Sequence, residues 1–94
     1  MNNIYYNPES YGLEVVAEIE YSSGSYEFDT RVIWKDKQGL YWTARDSGCS
    51  CPTPFEDYDL TNIDRLIKAD IEKEAIEVVG AYAHEFIKKL QSLK

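Results

Sequence analysis

Apolar and polar side chains alternate along the first half of the chain with a period of two, which is typical of half-buried β-strands. The alternation predicts three strands, over residues 12–21, 26–35 and 40–46. Ser22-Ser23-Gly24-Ser25 has the composition of a turn. Lys37-Gln38-Gly39 fits a three-residue hairpin loop with Gly39 in the left-handed conformation. The chain is therefore expected to begin as an antiparallel meander.

The two predicted turns also set which residues face each other, since paired residues in a sheet point to the same side. The odd-numbered positions from Leu13 to Tyr21 form the apolar side of the first strand. The first turn would then set Ile19 opposite Phe28, and the second would set Trp34 opposite Trp42. This register predicts one continuous apolar face.

Beyond residue 60 the apolar positions recur at spacings of three and four, which is the period of an α-helix. Thr61 followed three residues later by Asp64 resembles a weak capping box and predicts the helix start. A break near Ala69-Asp70 and a local weakening at Gly80 are expected. The apolar stripe consists of Ile67, Ile71, Ala75, Val78, Tyr82 and Phe86.

A sheet with one apolar face and a helix with one apolar stripe bury both by packing together. We therefore predict an α+β fold, a three-stranded antiparallel β-meander packed against a long C-terminal α-helix. The 94 residues are expected to form a single domain. Its parts are an N-terminal arm over residues 1–11, the meander over 12–46, a loop over 47–60 and a helical part over 61–92.

The net charge of −7 restricts the partners of this chain. Nucleic acid phosphates and anionic lipids repel an acidic protein, so we expect no direct binding to nucleic acid or membranes. A basic partner remains open, and so does a role in solubility alone. No membrane-spanning run or signal peptide is seen, which predicts a soluble intracellular protein whose two cysteines are thiols.

Four carboxylates are candidates for contact with a partner. The predicted register sets Glu20 opposite Glu27 and Glu18 opposite Asp29, and like charges directly opposite each other destabilise a sheet. Either these side chains extend into water, or they await a basic partner. Tyr58, one of eight tyrosines, is a further partner-binding candidate.

The loop contains the motif Cys49-Ser50-Cys51, which is open to several interpretations. The thiols could be small buried side chains, or they could form a strained and labile disulfide. Zinc is an alternative cofactor, with Cys49, Cys51 and His84 as candidate ligands. Such a site needs a fourth ligand, from Asp46, Asp57 or a second copy of the chain.

Catalysis finds little support in the sequence. A nucleophilic cysteine with His84 as its base would need contact across the fold and an oxyanion site. There is no glycine-rich phosphate loop, no GxSxG and no HExxH. We therefore expect no enzyme activity, no catalytic residues and, apart from the zinc alternative, no cofactor.

The segment around this motif resembles the signature of a family of short phage-encoded proteins, found mainly in phages of actinobacteria. The matching residues are Tyr41-Trp42, Asp46-Ser47-Gly48-Cys49-Ser50-Cys51-Pro52 and Pro54-Phe55-Glu56. The family carries no assigned activity. The resemblance implies a phage origin and a location in the cytoplasm of a bacterial host.

The leading hypothesis is a small phage accessory protein that acts by binding a host or phage protein. An acidic mimic of DNA, which would inhibit a host nucleic-acid-binding or defence protein, is one alternative. A metal or thiol redox module built on the two cysteines is another. A homo-oligomer is also open, because a second copy could complete the metal site.

Overall fold

The computed structural model describes residues 3–24, 26–49 and 53–94. Four antiparallel strands form one sheet in the order β1-β2-β3-β4. Two α-helices, α1 and α2, follow the sheet. The bounds are β1 Leu13–Glu20, β2 Glu27–Asp36, β3 Tyr41–Cys49, β4 Asp64–Arg65, α1 Lys68–Val79 and α2 His84–Ser92, with 3-10 turns at Pro8–Tyr11 and Gly80–Ala83. The predicted α+β class, with an antiparallel sheet and a C-terminal helical part, is confirmed, but the sheet has four strands instead of three.

The fourth strand lies where the sequence predicted the helix start. Asp64 and Arg65 pair with Thr43 and Trp42 of β3, and the Arg65 guanidinium lies 5.3 Å from the centre of the Trp42 ring. These tertiary contacts outweigh a weak capping signal, and α1 begins only at Lys68. The expected helical start at residue 61 is therefore wrong, and the meander also continues past residue 46, because β3 ends at Cys49.

The hairpin between β2 and β3 has the predicted register. Trp34 pairs with Trp42, and Gly39 adopts a left-handed φ of 86° in the loop. The prediction for β1 and β2 is wrong, because Ile19 pairs with Arg31 and not with Phe28. The intervening turn is wider than the expected four residues.

A β-bulge between Val15 and Ala17 changes which side of the sheet β1 faces. The extra residue shifts the alternation by one position. Leu13 therefore packs with one hydrophobic cluster, whereas Ala17 and Ile19 pack with another. The expectation of a single apolar face is wrong, since both faces of the sheet are covered.

The first face lies under the helices, and we call it the helix face. Its core consists of Ala17, Ile19, Tyr21, Ile33, Ile71, Ala75, Ala83, Phe86 and Leu90. The second face lies under residues 3–7 and the segment 53–63, and we call it the arm face. Its core consists of Ile4, Leu13, Val32, Trp34, Ala44, Phe55 and Ile63.

The helical part breaks at Gly80, where φ is 57°, and not at Ala69-Asp70. The 3-10 turn that follows changes the phase of the apolar stripe, because it has fewer residues per turn than an α-helix. Ala83, Phe86 and Leu90 continue the buried side. Tyr82, which the uninterrupted stripe placed in the core, is 81% exposed.

Phe55 anchors the segment after the cysteine motif to the arm face. It is fully buried and has a φ of 61°, a left-handed conformation that non-glycine residues rarely adopt. The Asp46 side chain holds this conformation by accepting the Phe55 N–H at 2.8 Å. The Phe55 ring stacks on Tyr5 at 5.4 Å between centres and meets Trp34 edge-on at 5.9 Å.

Candidate functional site

The candidate metal ligands are only partly within the described residues. Cys49 ends β3 with an exposed free thiol, and His84 is an exposed residue at the start of α2. Cys51 lies outside the described residues. Within residues 3–24, 26–49 and 53–94, no group of three or more His, Cys, Asp or Glu side chains is arranged to hold a metal ion. The zinc and disulfide alternatives both depend on Cys51 and stay predictions.

The four acidic candidates do not lie on one face. In the observed register Glu18 pairs with Val32 and Glu20 pairs with Thr30, so the expected Glu–Glu and Glu–Asp pairings are wrong. Paired residues share a face, which places Glu18 and Glu20 on the arm face. Asp29 pairs with Ser47 and lies on the helix face. The exposed Glu27 pairs with Cys49 on the same side as Asp29.

Glu20 is engaged in the turn that follows β1. Its carboxylate accepts the Thr30 hydroxyl at 2.6 Å, the Asp29 N–H at 2.6 Å and the Ser22 N–H at 3.1 Å. These bonds stabilise the wide turn and explain why the shorter predicted hairpin does not form. A carboxylate held by three donors keeps a fixed position, although Glu20 remains exposed.

Tyr58 also has a structural role. Its hydroxyl donates to the Arg45 carbonyl at 2.8 Å, and its ring meets Phe55 at 5.2 Å between centres. Burial, followed by the negative charge of Asp46, raises the pKa of the Tyr58 phenol. The side chain is half-buried, so little of it is available to a partner.

A cluster of paired charges crosses the helix face. Glu74 of α1 accepts two hydrogen bonds from Arg31, at 2.8 and 2.5 Å, and one from the Tyr21 hydroxyl at 2.9 Å. Arg45 donates twice to Asp29, both at 2.8 Å, and approaches Glu74 at 3.4 Å. We call these five residues the charged cluster. It ties α1 to β2, to β3 and to Tyr21, which directly follows β1.

The pKa shifts in the charged cluster follow from these bonds. Burial raises the pKa of Glu74, but hydrogen bonds from Arg31 and Tyr21 outweigh it and leave the pKa below its usual value. The hydrogen bonds from Arg45 lower the pKa of Asp29. Burial and the bond to Glu74 raise the pKa of Tyr21. At neutral pH the carboxylates are thus ionised and engaged by guanidinium groups, which suits a structural tie better than a general base.

A cleft of about 330 Å³ lies beside Trp42. Leu13 and Ile63 contribute an apolar floor, and the partly exposed Leu60 contributes to the wall. The Asp36 carboxylate at its margin accepts the Trp42 indole N–H at 3.0 Å and the Leu40 N–H at 2.9 Å. These bonds lower the pKa of Asp36. Both carboxylate oxygens therefore stabilise the hairpin between β2 and β3.

The outer edge of β1 differs from these regions in its backbone. β1 is the first strand in the sheet order, so among residues 3–24, 26–49 and 53–94 no strand neighbours one side of its backbone. A groove of about 580 Å³ lies along it, lined by Glu18, Ile19, Glu20, Tyr82, Glu85, Phe86 and Lys89. We call this surface the β1-edge groove. It contains two of the predicted partner-binding residues, Glu18 and Glu20.

Nearly the whole chain matches the model of a protein family. Residues 2–93 match the model described as Domain of unknown function (DUF7574). The chain belongs to this family. No curated protein and no solved structure matches it. Among the described residues of this DUF7574 member, no helix has the length and apolar character needed to cross a membrane.

Sequence reasoning missed the charged cluster and the β1-edge groove in this DUF7574 member. Glu74 follows the buried Ile71 by three residues, which places it beside the buried stripe, where an acid is usually paired with a cation. Arg31 and Arg45, which pair with each other across β2 and β3, supply the cations. Tyr82 and Glu85 reached the groove only because the 3-10 turn rotates α2.

Proposed function

We propose that this protein is a small non-enzymatic accessory protein that acts by binding another protein. The open, acidic β1-edge groove is the observation that carries the proposal. An edge strand exposes unpaired N–H and C=O groups, and partner proteins use such groups for recognition. Glu18 and Glu85 add negative charge to this surface, which suits an oppositely charged partner.

The internal bonding of the remaining polar side chains supports the same conclusion. Asp29, Glu74 and Asp36 each accept several hydrogen bonds within the fold. Their oxygens hold elements together. In the groove, Glu20 is also bonded within the fold and Glu18 lies against the Tyr5 hydroxyl, but Glu85 is exposed and the lining keeps a surplus of negative charge. An acidic mimic of DNA has weaker support, because Asp29 lies on the other face and is paired with Arg45.

We further propose that the protein is encoded by a phage and acts in the cytoplasm of the bacterial host on a host or phage protein. The support is the resemblance of Asp46-Ser47-Gly48-Cys49 and Pro54-Phe55-Glu56 to the signature of short phage proteins. An accessory role fits a short chain whose internal contacts support one candidate binding surface, the β1-edge groove.

Site-specific photo-cross-linking in bacteria tests the proposal. A photoreactive phenylalanine analogue replaces Glu18 in the groove, and in a second variant it replaces Glu56, which is exposed on the segment that covers the arm face. We expect one dominant protein adduct from position 18 and none of comparable yield from position 56. Adducts of equal yield at both positions, or at position 56 alone, would contradict protein binding at the β1 edge.

A further inference from the structure

We propose that the β1-edge groove accepts an extended basic segment of the partner, which adds to the sheet as a strand beside β1. This inference rests on the proposed protein-binding function and specifies its partner. Strand addition of this kind draws affinity from main-chain hydrogen bonds and selectivity from alternate side chains. The β1 edge supplies both components.

The direction of the backbone groups on β1 follows from one hydrogen bond. The Tyr21 N–H donates to the Asp29 carbonyl of β2 at 2.7 Å. Polar groups alternate along an antiparallel ladder, so those of Ile19 point to β2 and those of Glu18 and Glu20 point outward. In the described ranges, no main-chain hydrogen bond outside the β1–β2 ladder involves residues 14–20.

The bulge determines which part of the edge is usable. Between Val15 and Ala17 the regular pairing of β1 is interrupted, and a bulge twists an edge away from further pairing. The regular part therefore begins at Ala17 and ends at Glu20. A partner strand that pairs here would contact the groove and avoid the bulge.

The side chains of the groove indicate a basic occupant. Its lining has three carboxylates, Glu18, Glu20 and Glu85, against one ammonium group, that of Lys89. The side chains of Glu18 and Glu20 line the groove on the arm-face side, and those of Glu85 and Tyr82 line it on the side of the helices. Successive side chains of an added strand alternate between these two sides, so lysine or arginine meets a carboxylate on either one. The Tyr82 ring, 81% exposed, can cover the apolar stem of such a side chain and attract its charge.

Charge also disfavours a second copy of this chain as the occupant. Two β1 strands paired through their outer edges would bring the Glu18 and Glu20 carboxylates of both copies together. Like charges facing each other across paired strands are destabilising. The same carboxylates repel nucleic acid phosphates.

The test uses the whole protein, labelled with 15N, and a defined probe. The probe is an eight-residue peptide that alternates lysine with valine. A fully N-methylated analogue has the same charge but cannot donate main-chain hydrogen bonds, and its methyl groups keep its carbonyls from approaching the β1 edge. With saturating probe we expect the Glu18 and Glu20 amide protons to exchange at least about tenfold more slowly, because each gains an acceptor. The N-methylated analogue should leave their exchange unchanged.

Two variants at position 18 separate backbone pairing from charge. Glu18→Gln removes the charge and keeps the N–H, whereas Glu18→Pro removes both and is tolerated on an outward-facing edge position. We expect Glu18→Pro to bind the probe about fivefold to tenfold more weakly than Glu18→Gln does, because one main-chain hydrogen bond is lost. Glu77→Lys, an exposed charge reversal on α1 outside the groove, is the control and should bind like the wild type.

The outcomes separate this inference from the proposed function. Equal binding of the probe and its N-methylated analogue, without slowed exchange at Glu18 and Glu20, would overturn strand addition and leave protein binding through charge in place. No binding of the probe at low salt would overturn the basic occupant. Failure of the proposed function itself would appear in the cross-linking yields at positions 18 and 56.

Discussion

The outer sides of β1 and β3, which we call the β1 edge and the β3 edge, differ in how their outward backbone groups are bonded. At the β3 edge, β4 pairs with Trp42 and Thr43, the Leu66 N–H donates to the Tyr41 carbonyl at 3.1 Å and the Tyr58 hydroxyl donates to the Arg45 carbonyl. At the β1 edge, the outward groups of the regular part face the acidic groove.

This difference indicates where the molecule is closed and where it is open. Folded proteins protect exposed edges, because unpaired backbone groups invite association with other chains. The β3 edge is protected by a short strand and by a tyrosine hydroxyl that acts in place of a backbone donor. Among the described residues, the β1 edge is protected by a bulge and by negative charge, which disfavours pairing with a second copy and, as we propose, favours a basic segment.

The largest expected effect comes from Phe55→Ala, which removes the anchor of the segment at the closed edge. Phe55 is fully buried, and loss of such a ring costs about 3–5 kcal/mol. We expect the free energy of unfolding, measured with urea, to fall by that amount. Tyr82→Ala at the open edge is the control, since an exposed ring contributes little to stability. A loss below about 1 kcal/mol for Phe55→Ala would show that the closed edge does not depend on this anchor.

The second largest effect is expected from Glu74→Leu, which removes the carboxylate that links the end of β1 to β3 through the charged cluster. Glu74 bonds Tyr21, directly after β1, and contacts Arg45 of β3. Its loss removes the carboxylate bonded to Arg31, whose side chain is only 12% exposed. We expect a destabilisation of about 2–3 kcal/mol, less than for a fully buried pair because Glu74 is partly exposed. Glu77→Leu, exposed on the same helix, should cost less than about 0.5 kcal/mol. Equal costs for the two variants would contradict a structural role of the charged cluster.

Acidification should weaken the interactions within the charged cluster. The folded protein holds the pKa values of Asp29 and Glu74 below their ordinary values of 3.8 and 4.5. Their stabilising contribution is therefore complete above those ordinary values and is lost as the pH falls through the lower, folded-state values. Urea unfolding from pH 7 to about pH 3 should show this decline, and Glu74→Leu should show less of it. An identical decline in both proteins would exclude Glu74 as its source.

The smallest effect is expected from Tyr58→Phe. The substitution removes only the hydroxyl that bonds the Arg45 carbonyl and keeps the ring against Phe55. Water can replace the donor at a half-buried site, so the cost should be about 0.5–1 kcal/mol. Tyr26→Phe is the control, since Tyr26 is 77% exposed. No difference between the two variants in urea unfolding would show that the hydroxyl does not stabilise the β3 edge.

The parts of the fold that follow local rules were predictable. Gly39 and its three-residue loop set the Trp34–Trp42 register correctly, because turn geometry alone determines it. The bulge in β1 left one trace in the sequence, the apolar Val16 on the otherwise polar side of the alternation, but one apolar residue there does not locate an inserted residue. Its effect on the register and the faces could therefore not be predicted.

The remaining differences have long-range causes. β4 is two residues long, too short to show a period, and it exists because Trp42 provides a surface for Arg65. The candidate acids Glu18 and Glu20 were identified correctly as neighbours on one face, but Asp29 was not, because Glu20 widens the turn. Tyr82 entered the groove through the phase change after Gly80, which periodicity cannot locate.

Amide hydrogen exchange of the free protein tests the contrast between the edges most directly. We expect the outward amide protons of Glu18 and Glu20 to exchange within about tenfold of the rate of an unfolded chain, because the part of the chain that the structure describes gives them no main-chain acceptor. The Leu66 and Phe55 amide protons, bonded to the Tyr41 carbonyl and the Asp46 carboxylate, should exchange at least about a hundredfold more slowly. If Glu18 and Glu20 were protected as strongly as Leu66 in the isolated monomer, the β1 edge would be covered, and its role as the binding surface would be contradicted.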